Sequence, residues 1–196
     1  STSPFSKSHV LDIVEICRSA GADYHIYCRD TIFGETVTNK IKYYTELNRE
    51  LPERDRVDLL VDRDYRGFIE RTDEELYKIL ILSEDLGLLQ SIDDKIYERT
   101  CIRSSRSDHY LLDVMPPGIS KASAMKELCG ELNISREETA AIGDQLNDME
   151  MLEFAGTAVA VANAVAGVRD AADLVTTMTN AEGGVAEAID RLLSPA

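Results

Sequence analysis

Apolar residues follow two rhythms along this chain, and the change comes near residue 110. In the first stretch Val10, Leu11, Ile13, Val14, Ile16 and Cys17 recur at three- and four-residue spacing, which predicts an amphipathic helix over 8–17. Runs rich in β-branched and aromatic residues predict strands at 24–28, 31–33, 78–82, 100–103 and 110–112, with helices at 40–48 and 84–97. Strands grouped in pairs imply an antiparallel sheet with helices on one face, an α+β layout for residues 1–110. The stretch 49–75, rich in Arg, Asp and Glu and holding Pro52, reads as the least ordered part.

From about Asp113 the pattern becomes a regular alternation of helix and strand. Its strands are four or five residues long and built from Ala, Val and Ile, as parallel βαβ units require. Residues 111–196 therefore read as part of an α/β parallel sheet. Ser135 with Glu138 forms a capping box before one strand, and Gly183-Gly184 precedes a last helix that ends near Leu193.

The most specific chemistry lies where strand 139–142 runs into Gly143-Asp144-Gln145-Leu146-Asn147-Asp148 and then a helix over 149–154, with Gly156 as the expected helix stop. Ligands collect beyond the carboxyl ends of strands in parallel sheets, so Asp144 falls where chemistry happens and Asp148, on the first helical turn, points back at it. Oxygen donors at this spacing suit Mg²⁺, which takes one or two protein carboxylates and keeps several waters. Taken alone, two aspartates near a helix start read as charges offsetting the helix dipole; the surroundings change that reading. Upstream, Gly118-Ile119-Ser120-Lys121 reads as a loop, an N-cap serine and a first-turn lysine. A cation there opposes the helix dipole, yet among unpaired backbone N–H groups it makes a pocket for a phosphate or carboxylate. Asn163 ends the strand 158–162 on the same rim, where it reads as a substrate or Lys121 contact or as a turn-forming asparagine.

The segments GISKASAMKEL, AAIGDQLNDMEMLEFAG, AVAVANAVAGVRDAADLVTT and EGGVAEAI, spanning about 111–193, resemble the haloacid dehalogenase (HAD) superfamily, specifically the Cof-type phosphatases with a type-II cap. The resemblance implies a cap domain at 1–110 and the C-terminal part of a Rossmann-like HAD core at 111–196. It implies a Mg²⁺-dependent phosphatase acting on sugar phosphates or similar small metabolites through an aspartyl-phosphate. Lys121 matches the catalytic lysine that binds the transferring phosphoryl group, Asp144 a Mg²⁺ ligand, Asn147 a phosphate contact and Asp148 a metal-proximal carboxylate. Ala122 stands where the family has glycine, a difference of one methyl group. The family's D-x-D-G-T segment, which supplies the attacking carboxylate, is missing. Asp62-Arg63-Asp64 imitates it, but Tyr65-Arg66 replaces the Gly-Thr pair that lets the backbone turn beneath a phosphate, so this segment reads as a solvated strand edge.

A chain that opens Ser1-Thr2-Ser3 without that segment is expected to be a truncated portion of a longer phosphatase, with at most trace activity by itself. The alternatives are a non-catalytic relative that binds a ligand or partner, and one half of a split enzyme. A parallel sheet lacking a strand also predicts self-association through exposed edges.

Composition narrows the partners. The chain has 196 residues, 44% of them hydrophobic, enough for a packed core. Asp and Glu number 36 against 21 Lys and Arg, a net charge of −15 that argues against nucleic acid and anionic membranes as partners. A small phosphorylated metabolite meets the same repulsion, so Lys121 and a cation must reverse the local field. Cys17, Cys28, Cys101 and Cys129 lack C-x-x-C spacing and read as reduced thiols, mostly buried. His9, His25 and His109 are too scattered for a zinc site or a charge relay. No signal peptide, long apolar span or lipidation signal at 194–196 is apparent, which makes the cytoplasm the expected compartment.

Overall fold

The computed structural model describes residues 4–194; the terminal readings at 1–3 and 195–196 lie outside the described residues. The chain divides into two compact units between Pro117 and Gly118.

In the first unit six strands form one sheet in the order β3-β2-β1-β4-β6-β5. They are β1 (Asp23–Tyr27), β2 (Thr31–Gly34), β3 (Asp58–Val61), β4 (Lys78–Leu82), β5 (Ser104–Asp108) and β6 (Leu111–Val114). Every pairing is antiparallel except β2 with β3. Alternate residues build the core on one face: Tyr24, Ile26, Phe33, Ile79, Ile81, Leu112 and Val114 pack against α1 (Lys7–Ala20), α3 (Tyr65–Arg71) and α4 (Leu86–Thr100). These helices contribute Val10, Ile13, Val14, Ile69, Leu89, Ile92 and Ile96, the positions their helical spacing selects. Ser6 caps α1 by accepting from His9 N at 3.2 Å, and Gly21, at φ 73°, closes it.

Several expectations change here. The stretch 49–75 is ordered enough to hold β3 and α3. Asp64 caps α3, accepting from Gly67 N at 2.9 Å and from Arg71 at 2.8 Å, so the D-x-D imitation is a helix start. No strand forms at 100–103, because α4 runs on to Thr100, whose hydroxyl donates to Ile96 O at 2.7 Å; the strand follows at 104–108. The helices do not all share one face either. Thr38, which caps α2 (Asn39–Glu50), bonds His25 on the opposite face. The boundary expected after residue 110 falls after Pro117, because Leu111–Val114 pairs with β4 and β5 in this sheet.

The second unit alternates as its pattern requires: α5 (Lys121–Leu132), β7 (Ala140–Gly143), α6 (Met149–Phe154), β8 (Thr157–Ala160), α7 (Ala166–Ala171), β9 (Leu174–Val175) and α8 (Gly184–Leu193). The three strands pair in parallel in the order β7-β8-β9. Small side chains let helices lie close on this sheet: Ala141, Ala155, Ala158, Ala160 and Ala164 form the core with Leu152, Val161 and Val168. Gly156 is not a left-handed helix stop, since positive φ among the described glycines is confined to Gly21, Gly118 and Gly183. It lies where the chain passes tightly under residues 136–137.

Candidate active site

Lys121 is the first residue of α5, and its place is fixed by a reciprocal cap. Ser120 Oγ accepts from Ser123 N at 3.2 Å while Ser123 Oγ accepts from Ser120 N at 2.9 Å. A lysine on this turn works against the helix dipole, and the structure meets it with a carboxylate: Lys121 Nζ donates to Asp148 Oδ1.

Asp148 is the centre of the arrangement. It is 4% exposed, and its second oxygen accepts from Asp144 N at 2.9 Å and Gln145 N at 3.2 Å. Burial pushes its carboxyl upward, but the Lys121 ammonium and the two backbone N–H groups outweigh that and hold it below the usual carboxylate range. Both oxygens are thus engaged. One aspartate ties the first turn of α5 to the strand end that presents Asp144.

Asp144 follows the last residue of β7, half-buried, and its carbonyl accepts from Val165 N at 2.9 Å. Its carboxylate accepts no hydrogen bond among the described residues, which leaves it the open oxygen donor of the site. Asn147 lies on the short 3-10 turn Leu146–Asp148, partly buried, with its amide unpartnered among the described residues. Asn163 is committed elsewhere: its Oδ1 accepts from Asn180 N at 2.9 Å, bracing a loop rather than meeting Lys121 or closing its own turn. Lys126 is exposed, with its ammonium 5.3 Å from the Phe154 ring centroid. The predicted residues therefore separate, with Lys121, Asp144, Asn147 and Asp148 on one network or its turn and Asn163 apart.

One requirement of the site escaped the sequence reading. A Cβ on Gly143 would stand 2.6 Å from Asp148 Cβ, so this glycine clears the space Asp148 occupies. The signal was present as a glycine at the strand end, five residues before the buried aspartate. Among the described residues no group of three or more His, Cys, Asp or Glu gathers to hold a metal. The donor set is an open carboxylate at Asp144 beside an already bonded one at Asp148. That suits a hard cation that takes few protein ligands.

A parallel sheet with an open carboxylate at a strand's carboxyl end and a lysine on the first turn of a neighbouring helix is an α/β frame with places for a cation and an anion side by side. The chain belongs to the haloacid dehalogenase-like hydrolase family, whose model matches residues 1–189. It is similar to phosphatase YwpJ of Bacillus subtilis, 53% identical over 74 residues, covering 38% of this chain and 26% of that protein. It is 31% identical over 121 residues to the 5-amino-6-(5-phospho-D-ribitylamino)uracil phosphatase YwtE of the same organism, covering 62% of this chain and 42% of YwtE. Among solved structures, a haloacid dehalogenase-like hydrolase from B. subtilis superposes with a TM-score of 0.82 at 29% identity, covering 97% of this chain and 72% of that one. The matched stretches thus span less than half of either curated relative.

Proposed function

We propose that this chain carries the phosphate- and metal-binding half of a Mg²⁺-dependent phosphatase of small phosphorylated metabolites, sugar phosphates among them. The observation that carries the reading is the bridge through Asp148, which joins Lys121 to the strand end bearing Asp144. Two relatives are phosphatases by name, and the substrate named for YwtE is a phosphorylated sugar-alcohol derivative.

Lys121 holds the phosphoryl group as a cation within reach of the N-terminal backbone of α5, and Asn147 contributes an amide from the neighbouring turn. Asp144 is the residue that would hold Mg²⁺, with Asp148 beside it, and a bound cation would neutralise charge on the phosphoryl oxygens. Asp148 positions both partners: it holds the Lys121 ammonium and the backbone of residues 144–145. The 196 residues contain no D-x-D-G-T segment, so the reading assigns the attacking carboxylate to no residue of this chain. Among the described residues strands β3, β5, β7 and β9 each have one open edge, and Leu60 and Val61 on β3 are 41% and 38% exposed; these edges support self-association. Among the described residues no helix is long and apolar enough to cross a membrane. A cytoplasmic location belongs to this reading.

The test is hydrolysis of p-nitrophenyl phosphate with and without Mg²⁺, by this chain and by the chain carrying an N-terminal D-x-D-G-T extension. Turnover is expected only from the extended form with Mg²⁺, and Lys121→Met or Asp144→Asn there should lower it by at least about 100-fold. Enzyme-like turnover by the chain alone, or Mg²⁺-independent turnover by the extended form, would overturn the reading.

A further inference from the structure

The six-stranded sheet is hollowed at the end where β1 begins and β2 stops, into a cavity of about 370 Å³. The strand register fixes which end this is. Asp23 stands opposite Leu82, which also pairs with Leu111, whereas Val114 pairs with Ile79 at the other end of β4. The cavity therefore lies within the first unit, at the end of the sheet opposite Val114.

One wall is held in place by its own charges. Arg18, near the end of α1, donates through Nη1 to Glu35 Oε1 at 2.7 Å, and its guanidinium lies 4.3 Å from the Tyr65 ring centroid. The buried Tyr24 donates its hydroxyl to Glu35 Oε2 at 2.8 Å, so both Glu35 oxygens are engaged. Across the cavity Thr36 Oγ1 donates to Asp23 Oδ1 at 2.6 Å and orients that carboxylate. Asp23 Oδ2 accepts no hydrogen bond among the described residues. Arg63, just past the end of β3, lines the same cavity and makes no hydrogen bond or ion pair with a described residue. One guanidinium and one carboxylate oxygen are thus left without partners in a single cavity.

That remainder selects the ligand. Arg18 and Arg63 balance Asp23 and Glu35, and Arg18 and Glu35 already satisfy each other. A simple anion would answer Arg63 but meet Asp23 and a chain of net charge −15. A simple cation would answer Asp23 but meet Arg63. We infer that the cavity binds a free α-amino acid as its zwitterion, the carboxylate on Arg63 and the ammonium on Asp23. A carboxylate matches the two parallel N–H groups of a guanidinium, and an ammonium has three donors for a carboxylate oxygen and its surroundings. A Cβ on Gly21 would meet nothing within 4 Å, which leaves space at the cavity wall for a small side chain. The cavity volume is in the range of small-molecule sites. None of these residues belongs to the Lys121–Asp148 network, so the inference stands apart from the phosphatase reading.

The experiment is a titration of the isotopically labelled chain with L-valine, followed through its backbone amide and arginine side-chain resonances. Isobutylamine and isovalerate are the controls, since each keeps the valine side chain and one of its two charges. Saturable shifts at residues 18, 23, 36 and 63 are expected with valine, and binding of either control should be weaker by at least about tenfold. Arg63→Gln and Asp23→Asn, both at exposed positions, should each weaken valine binding by a similar factor, and Asp23→Asn keeps an oxygen for Thr36. A thermal unfolding midpoint confirms that each variant is folded, and Arg63→Gln carries the test if Asp23→Asn is not. Isovalerate binding as tightly as valine would make this a plain anion site and overturn the inference, as would isobutylamine binding as tightly. So would the absence of a saturable response to valine, or an undiminished one in the folded variants.

Discussion

A methyl group on Gly143 would stand 2.6 Å from Asp148 Cβ and 3.0 Å from its Cγ and Oδ2. The glycine at the end of β7 is the space into which the central aspartate folds. Asp148 cannot yield freely, because three donors hold its carboxylate. Gly143→Ala should therefore destabilise the chain by about 1–3 kcal/mol. Urea unfolding gives the loss, and hydrogen exchange at the Asp144 and Gln145 amides locates it. An unchanged midpoint with unchanged protection at those two amides would show that the neighbour gives way at no cost.

Much of this was legible beforehand, for physical reasons. The alternation of short Ala- and Val-rich strands with helices placed β7 and β8 of the second unit, because a strand buried in a parallel sheet has little freedom in composition, while the two-residue β9 was too short to locate. Lys121, Asp144 and Asp148 were readable because a strand end and two helix starts fix where their side chains begin. The connection among them was not, since the 27-residue separation of Lys121 from Asp148 leaves no local trace. Charge density misled at 49–75, where Asp64 acts as a helix cap and the exposed residues belong to an edge strand. Asn163 was ambiguous because its partner, Asn180, lies 17 residues away.

His25 carries a pH dependence whose direction follows from burial. It is fully buried, with Nε2 2.9 Å from Thr38 Oγ1 and Nδ1 unpartnered. Burial pushes its pKa from 6.5 down to about 4; Asp23 opposes this and Lys40 adds to it. Between those values the unfolded chain binds a proton that the folded chain refuses. The contribution is complete above about pH 6.5 and is lost as pH falls toward 4, by up to about 3 kcal/mol. His25→Gln removes the titration while keeping a polar partner for Thr38. Its unfolding free energy should vary less than the wild type's between about pH 6.5 and 5, above the main carboxylate range. Parallel curves for the two proteins over that window would show that His25 does not titrate as buried.

Glu187 secures the chain before α8. Its carboxylate accepts from Thr177 N at 3.0 and 2.9 Å, from Met178 N at 2.9 Å and from Thr177 Oγ1 at 3.0 Å. The Thr177 backbone bond leads the effects that hold its carboxyl below the usual range, burial opposing. Glu187→Ala should speed hydrogen exchange at Thr177 and Met178 while leaving β7 and β8 protected. In the wild type the same two amides should lose protection, after correction for intrinsic rates, as pH falls below the usual carboxylate range. Protection unchanged in Glu187→Ala would mean that the segment is held by other contacts.

Two glycines of the second unit should answer the same substitution with opposite signs. A Cβ on Gly156 would stand 2.6 Å from both Arg136 O and Glu137 O and 2.7 Å from Glu137 Cα. All three are backbone atoms that cannot swing aside, so Gly156→Ala should destabilise by about 1–3 kcal/mol. Gly130 lies inside α5 with nothing within 4 Å of the same added atom. There an alanine restricts the unfolded chain and costs no space in the folded one, so Gly130→Ala should stabilise by roughly 0.5–1 kcal/mol. Thermal unfolding of the two variants beside the wild type separates the readings. Loss of stability in both would mean that Gly130 meets a neighbour after all, and gain in both would mean that the 156 turn can open away from residues 136–137.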